Sequence, residues 1–77
     1  AARQAGPYNL IMANILAAPL FNLAPAIAAQ LAPAGQVILS GLLHEQRQRI
    51  IARYRQAGLI LRKDIRLGPW TSLLFQR

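Results

Sequence analysis

The chain has 77 residues, no cysteine, one histidine and a formal net charge of +7 from nine basic and two acidic residues. These counts allow one domain at most, and they exclude a disulfide-stapled scaffold, a thiolate zinc site, a cysteine nucleophile and a multi-histidine metal centre. Apolar residues make up 55%, too many for a disordered basic tail, and the five glycines and five prolines show no collagen-like or linker period.

Turn signals at Gly6-Pro7, Pro19, Pro33-Ala34-Gly35, Gly41, Gly58 and Gly68-Pro69 divide the chain into segments of element length. Tyr8–Ile15 is a short, nearly continuous apolar run and predicts a strand buried on both faces. Leu20, Leu23, Ala24, Ile27 and Leu31 then recur on one helical face. Pro25 either kinks that helix or opens a second piece, since proline is tolerated at a first helical position. Pro33-Ala34-Gly35 is expected to stop it, and Gln36–Leu39 reads as a second buried strand that exits through Ser40-Gly41. The next helix is Glu45–Ala57, with Ile50, Ile51, Tyr54 and Ala57 on one face, arginines around much of the rest, and Gly58 as its C′ residue. Leu59–Arg66 alternates like a half-exposed strand. Leu67-Gly68-Pro69 turns the chain into a last, antiparallel strand, Trp70–Phe75.

The order β-α-β-α-β-β predicts an α/β fold with parallel strands, right-handed crossovers and a C-terminal antiparallel hairpin. A membrane span over Leu10–Leu31 is not expected, because Asn14, Asn22, Gln30, Pro19 and Pro25 would leave polar groups unsatisfied in hydrocarbon. No secretory leader pattern is visible. No charged residue falls between Arg3 and Glu45, and the charges crowd into Glu45–Arg66. A basic helix carrying Arg47, Arg49, Arg53 and Arg55 keeps a second reading open, a small RNA-binding domain without enzymatic activity.

Two helices can barely cover four strands, and the first strand would form an exposed apolar edge of the kind that pairs with something. The expectation is therefore a piece of a larger sheet, with its partner strand supplied by a preceding half of the same domain or by another chain.

At Asn14-Ile15-Leu16-Ala17-Ala18-Pro19-Leu20 the sequence resembles the ribosomal protein L11 methyltransferases, whose fourth strand ends in Asn-Ile-Leu-Ala followed by Pro-Leu. The resemblance continues through Leu23-Ala24-Pro25, Leu31-Ala32-Pro33-Ala34-Gly35, Val37-Ile38-Leu39-Ser40-Gly41-Leu42-Leu43, Glu45-Gln46, Tyr54, Ala57-Gly58 and Trp70. It departs from the family's commoner Gly-Gly at Ala34-Gly35. It implies a partial Rossmann-like methyltransferase sheet of order 3-2-1-4-5-7-6. Residues 1–77 would be the C-terminal half of the catalytic domain and supply strands four to seven. It also implies S-adenosylmethionine as cofactor, an amine of a large-subunit ribosomal protein as substrate, no direct nucleic-acid partner, no membrane partner and a cytoplasmic location. The half that carries the Gly-rich cofactor loop would be absent, leaving the piece inactive alone; no G-x-G-x-x-G occurs here.

Asn14, at the carboxyl end of the first strand, is then the candidate catalytic and cofactor-contacting residue, since ligands of open α/β sheets bind at strand carboxyl ends. A neutral amide can accept a hydrogen bond from the substrate amine and donate one to the cofactor. Leu16 and Ser40 are candidate substrate contacts, while Gly41 is expected to permit a tight turn. Asn9 and Asn22 read as turn and helix-surface residues. His44 and Glu45 read as a helix start rather than an acid–base pair. Tyr54 and Trp70 read as packing residues, and the arginines of Glu45–Ala57 as a solvated face.

Overall fold

The computed structural model describes residues 7–14 and 16–77, so Ile15 of the predicted first strand and Gly6 of the first turn signal lie outside the described residues. In chain order the elements are β1 (Tyr8–Asn14), α1 (Ala17–Gln30), β2 (Leu31–Leu43), a 3-10 turn (His44–Gln46), α2 (Arg47–Gln56), β3 (Ile60–Leu67) and β4 (Trp70–Gln76). One four-stranded sheet has the order β1-β2-β4-β3. β1 runs parallel to β2, and β4 runs antiparallel to both of its neighbours. The β-α-β-α-β-β order, the parallel pair and the terminal hairpin agree with the sequence reading.

Both helices lie on one face of this sheet. Leu20 and Ala24 of α1 and Ile50, Ile51 and Tyr54 of α2 are buried against sheet residues that include Val37, Leu39, Leu73 and Phe75. The Tyr54 ring stacks on Phe75 with centroids 5.2 Å apart. Its hydroxyl donates to the Leu20 carbonyl at 2.7 Å, so the buried phenol is satisfied while it ties α2 to α1.

α1 differs from its predicted form in two ways. It begins at Ala17 and runs unbroken through Pro25. Proline has no N–H to give the carbonyl four residues back, at Phe21. The Nε of Arg53, on α2, donates to that carbonyl at 3.2 Å. The missing intrahelical bond is thus replaced from the neighbouring helix. Leu23, expected on the buried stripe, is 40% exposed. The helix lies on the sheet along Leu20, Ala24 and Ala28, and Leu23 sits about 100° round from Ala24.

β2 starts at Leu31, not Gln36, and runs through Ser40-Gly41 to Leu43. Leu31 pairs with Tyr8, and the ladder resumes only at Leu10 with Gln36. Pro33-Ala34-Gly35 therefore forms an irregularity inside the strand rather than a helix stop. Ala34 has φ +64°, left-handed for a non-glycine residue. A Cβ on Gly35 would come within 2.8 Å of the Ala32 and Tyr8 carbonyl oxygens, so only glycine fits between those backbones. Asn9, read as a turn residue, lies within β1. α2 ends as expected at Gly58, φ +94°. The Gly58 N–H donates to Arg55 and the Leu59 N–H to Tyr54, the paired bonds of a Schellman motif.

The two sheet edges are unlike. β3 carries Arg62, Lys63, Asp64 and Arg66 and a bulge between Leu61 and Lys63, devices that discourage further pairing. β1 is apolar, with Leu10 and Met12 50% and 73% exposed on the face that carries no helix. Among the described residues no helix is long and apolar enough to cross a membrane.

Arg53→Ala is expected to cost about 1–2 kcal/mol, since it orphans a helix carbonyl. In a Pro25→Ala background, where the helix regains its own donor, urea unfolding should show a loss smaller by about 1 kcal/mol. Burial pushes the Tyr54 phenol up to about 12, against the pull of Arg53, whereas in the unfolded chain it titrates near 10. The folded state then holds a proton that the unfolded state releases. This contribution is intact below pH of about 10 and is lost as pH rises toward 12. Tyr54→Phe should abolish that slope in a pH series of urea midpoints, at a neutral-pH cost of about 1 kcal/mol for the lost bond.

Candidate functional site

The carboxyl ends of the parallel strands β1 and β2 lie side by side, with Asn14 paired to Ser40. Beyond Ser40 the backbone departs from a regular strand. Leu39 pairs with Leu73 and Leu42 with Thr71, so β2 holds one residue more than β4 over this stretch, a β-bulge at Ser40-Gly41. Gly41 has φ +82°, a conformation that glycine adopts without steric penalty. A Cβ there would lie 2.5 Å from Oδ1 of Asn14. Gly41 therefore does more than permit a turn: its missing side chain is the space that the Asn14 amide occupies.

Asn14 is exposed and Ser40 half-buried. Among the described residues the Asn14 side chain has no hydrogen-bond partner, which leaves both its carbonyl and its NH2 available. Leu16 is 75% exposed just before α1, and its carbonyl accepts from the Leu20 N–H at 3.1 Å. The structure thus brings Asn14, Ser40 and Gly41 together at one edge, with Leu16 two residues beyond Asn14 in the chain. A hollow of about 230 Å³ lies between the start of α1 and the start of α2, lined by Ala17, Ala18, Glu45, Gln46, Arg49 and Ile50. That is smaller than the roughly 300–1,000 Å³ of a small-molecule pocket. Hollows of about 440 and 470 Å³ lie at the far end, where β2 begins; strand carboxyl ends, not amino ends, carry ligands in this architecture.

The β2 exit is pinned from the other side. His44 donates its N–H to the Pro69 carbonyl at 2.9 Å, and its Nδ1 lies 3.0 Å from Oγ1 of Thr71, which is buried. The Leu43 N–H donates to Oε1 of Gln46 at 3.0 Å. His44 and Glu45 stand in a 3-10 turn that leads into α2, and the histidine is held to the β3–β4 hairpin rather than to Glu45. Thr71 went unnoticed in the sequence, and Gln46 entered only as part of the resemblance, without this role. The available signal was a threonine within an apolar strand in a chain with one histidine. Trp70, read as packing, is 51% exposed at the start of β4.

The arginines are not a uniformly solvated face. Arg47 donates from Nε and Nη2 to Oδ2 of Asp64 at 2.8 and 2.5 Å. Arg49 and Arg53 place their guanidinium carbons 4.7 and 5.2 Å from the centroid of the Phe21 ring. Among the described residues no three or more His, Asp or Glu side chains group where they could hold a metal ion.

Residues 1–77 match the family described as ribosomal protein L11 methyltransferase. The protein of that name from Bradyrhizobium diazoefficiens is 49% identical over 74 residues, 96% of this chain and 25% of that protein. Its counterpart from Rhizobium etli is 51% identical over 72 residues, again 25% of its own length. The crystal structure of the ribosomal protein L11 methylase from Lactobacillus delbrueckii subsp. bulgaricus aligns with a TM-score of 0.90 at 34% identity, covering 99% of this chain and 40% of that one. The chain belongs to the ribosomal protein L11 methyltransferase family, and it spans about a quarter of the length of the curated relatives it matches.

Gly41→Ala is expected to lose about 1–2 kcal/mol from its left-handed backbone alone. A further part comes from the clash with Asn14 and should vanish when Asn14→Ala is present. A double-mutant cycle by urea unfolding should therefore return a coupling of about 0.5–1 kcal/mol. Strict additivity would mean that the amide does not rest on the glycine.

Proposed function

Taking membership of that family as the premise, we propose that residues 1–77 are the C-terminal half of a catalytic domain that methylates an amine of a ribosomal protein in the cytoplasm. S-adenosylmethionine is the proposed methyl donor, and the piece alone is proposed to be inactive. The observation that carries this reading is the Asn14 amide, without a hydrogen-bond partner among the described residues and seated on a glycine bulge at the carboxyl end of a parallel strand pair. The strand order β1-β2-β4-β3 is the order expected of strands four to seven in the sheet 3-2-1-4-5-7-6. The exposed Leu10 and Met12, on the sheet face that carries no helix among the described residues, support a domain with further elements.

The residues present fit part of a cofactor site. The space that a Cβ would fill at Gly41 holds one amide able to donate to the cofactor, and the chain offers no glycine-rich loop to cradle the remainder. When bound, S-adenosylmethionine supplies a methyl group activated on a sulfonium. Asn14 acts on the other reactant. Its carbonyl accepts a hydrogen bond from the amine N–H, which turns the nitrogen lone pair toward the donor side. An amide suits this role better than a carboxylate, whose charge would favour the protonated amine and so block the lone pair. Orientation of this kind is worth up to roughly 7–11 kcal/mol in the best cases. Leu16 offers an exposed apolar contact to the acceptor and Ser40 a hydroxyl beside it.

Calorimetric titration with S-adenosylmethionine tests the reading. The 77-residue chain should bind negligibly, and a longer protein containing it should bind at micromolar concentration and methylate a ribosomal protein. In the longer protein Asn14→Ala should lower kcat/KM by about 100-fold or more, consistent with losing an orienting contact. Micromolar binding by the 77 residues alone, or an Asn14→Ala variant of undiminished activity, would overturn the proposal.

A further inference from the structure

We infer that Arg49 and Arg53, seated together on the Phe21 ring, form a clamp for the phosphate backbone of RNA. Arg49 and Arg53 are one helical turn apart on α2, and like charges at that spacing repel. Both stand over the same aromatic ring, 4.7 and 5.2 Å from its centroid. Neither has a carboxylate partner among the described residues, where Asp64 is taken by Arg47. Glu45 faces the same hollow as Arg49 without pairing with it. Arg53 is further fixed by its bond to the Phe21 carbonyl. Two guanidinium groups are therefore gathered on one ring, and among the described residues neither has an internal counter-ion.

That arrangement suits a partner carrying closely spaced anions. A guanidinium over an aromatic ring keeps terminal N–H groups from which a phosphate can accept two hydrogen bonds; Arg53 spends its Nε–H on the Phe21 carbonyl and offers its Nη groups. Arg55 on α2 and Arg62 and Lys63 on β3 are exposed elsewhere on the molecule and add to its overall positive charge of +7. The choice of RNA among phosphate polymers rests on the ribosomal-protein reading above, because such an acceptor sits beside RNA.

Fluorescence anisotropy with a labelled 20-nucleotide RNA hairpin, over a salt series, tests the inference on the 77-residue chain and on a longer protein containing it. Because Arg53 also serves α1, the arginine variants are made in the Pro25→Ala background. Arg49→Gln with Arg53→Gln should weaken RNA binding about tenfold or more and lower the salt slope by about one to two. Phe21→Leu, which leaves the net charge unchanged, should weaken binding about threefold by unseating the pair. A matched control, Arg62→Gln with Lys63→Gln, should weaken it less. Equal losses in clamp and control variants would reduce the effect to net charge and overturn the inference. Absent RNA binding would overturn it, as would tighter binding to duplex DNA, polyglutamate or phosphatidylserine vesicles than to RNA. Absence of RNA binding by the unsubstituted protein, with cofactor binding and methylation intact, defeats this inference alone, and RNA binding without cofactor binding or methylation defeats only the methyltransferase reading.

Discussion

Chain handedness constrains everything else in this molecule. β1 to β2 and β2 to β3 are both connections between parallel strands, and both step in the same direction across the sheet. Crossovers of one hand that step in one direction must place their helices on one face. α1 and α2 accordingly pack beside each other and share a single core. The opposite face is left with Leu10, Met12 and Ile65 largely in water. A sheet with parallel strands is normally covered on both sides. The two edges sharpen the contrast, since β3 is charged and bulged while β1 is apolar. One edge is built to end a sheet and the other to continue it. This agrees with a chain that spans a quarter of its relatives' length.

The candidate site follows from where the regular ladder breaks. A parallel pair alone would set Asn14 beside Ser40 on a flat edge. The extra residue in β2 turns the backbone at Gly41 into a left-handed conformation and removes a side chain from under the amide. The bulge is held in place by bonds on its far side, from His44 to Pro69 and Thr71 and from Leu43 to Gln46. A polar group at a strand end is thereby given a seat, and among the described residues its hydrogen-bonding capacity is unspent, as the proposed orienting role requires.

Much of this was legible in the sequence, and the exceptions share a cause. Element order, the terminal hairpin and the cap at Gly58 follow from local rules of periodicity and turn chemistry. Local rules failed where a distant segment supplies what the local chain lacks. Pro25 reads as a break only until Arg53, 28 residues later, is seen to serve the Phe21 carbonyl. Pro33-Ala34-Gly35 reads as a stop because the pairing of Leu31 with Tyr8 is invisible in a short window. Leu23 fits the helical period yet faces water, since the row along which α1 lies is chosen by the sheet. Asn14 was identified by resemblance, but its dependence on Gly41 is a contact across strands that spacing does not encode.

The dominance of arginine among the basic residues has a structural component that charge counting misses. Arg53 serves a carbonyl orphaned by proline. Arg66 donates from Nε to the Gly68 carbonyl in the β3–β4 turn. Arg77, after β4, donates from Nη1 to the carbonyls of Ala28 and Leu31 at the end of α1. The last carbonyls of a helix lack intrahelical donors, and α1 has no basic residue in its own last turn to help. Each of these positions needs a long side chain with donors at a fixed angle and a charge that persists at any ordinary pH. Guanidinium meets that need, whereas an ammonium offers only a flexible point charge. Irregular backbone and an arginine-rich composition are therefore two sides of one solution. Arg49 stands apart from it, because among the described residues it serves no carbonyl and no carboxylate, and its one specific interaction is with the Phe21 ring.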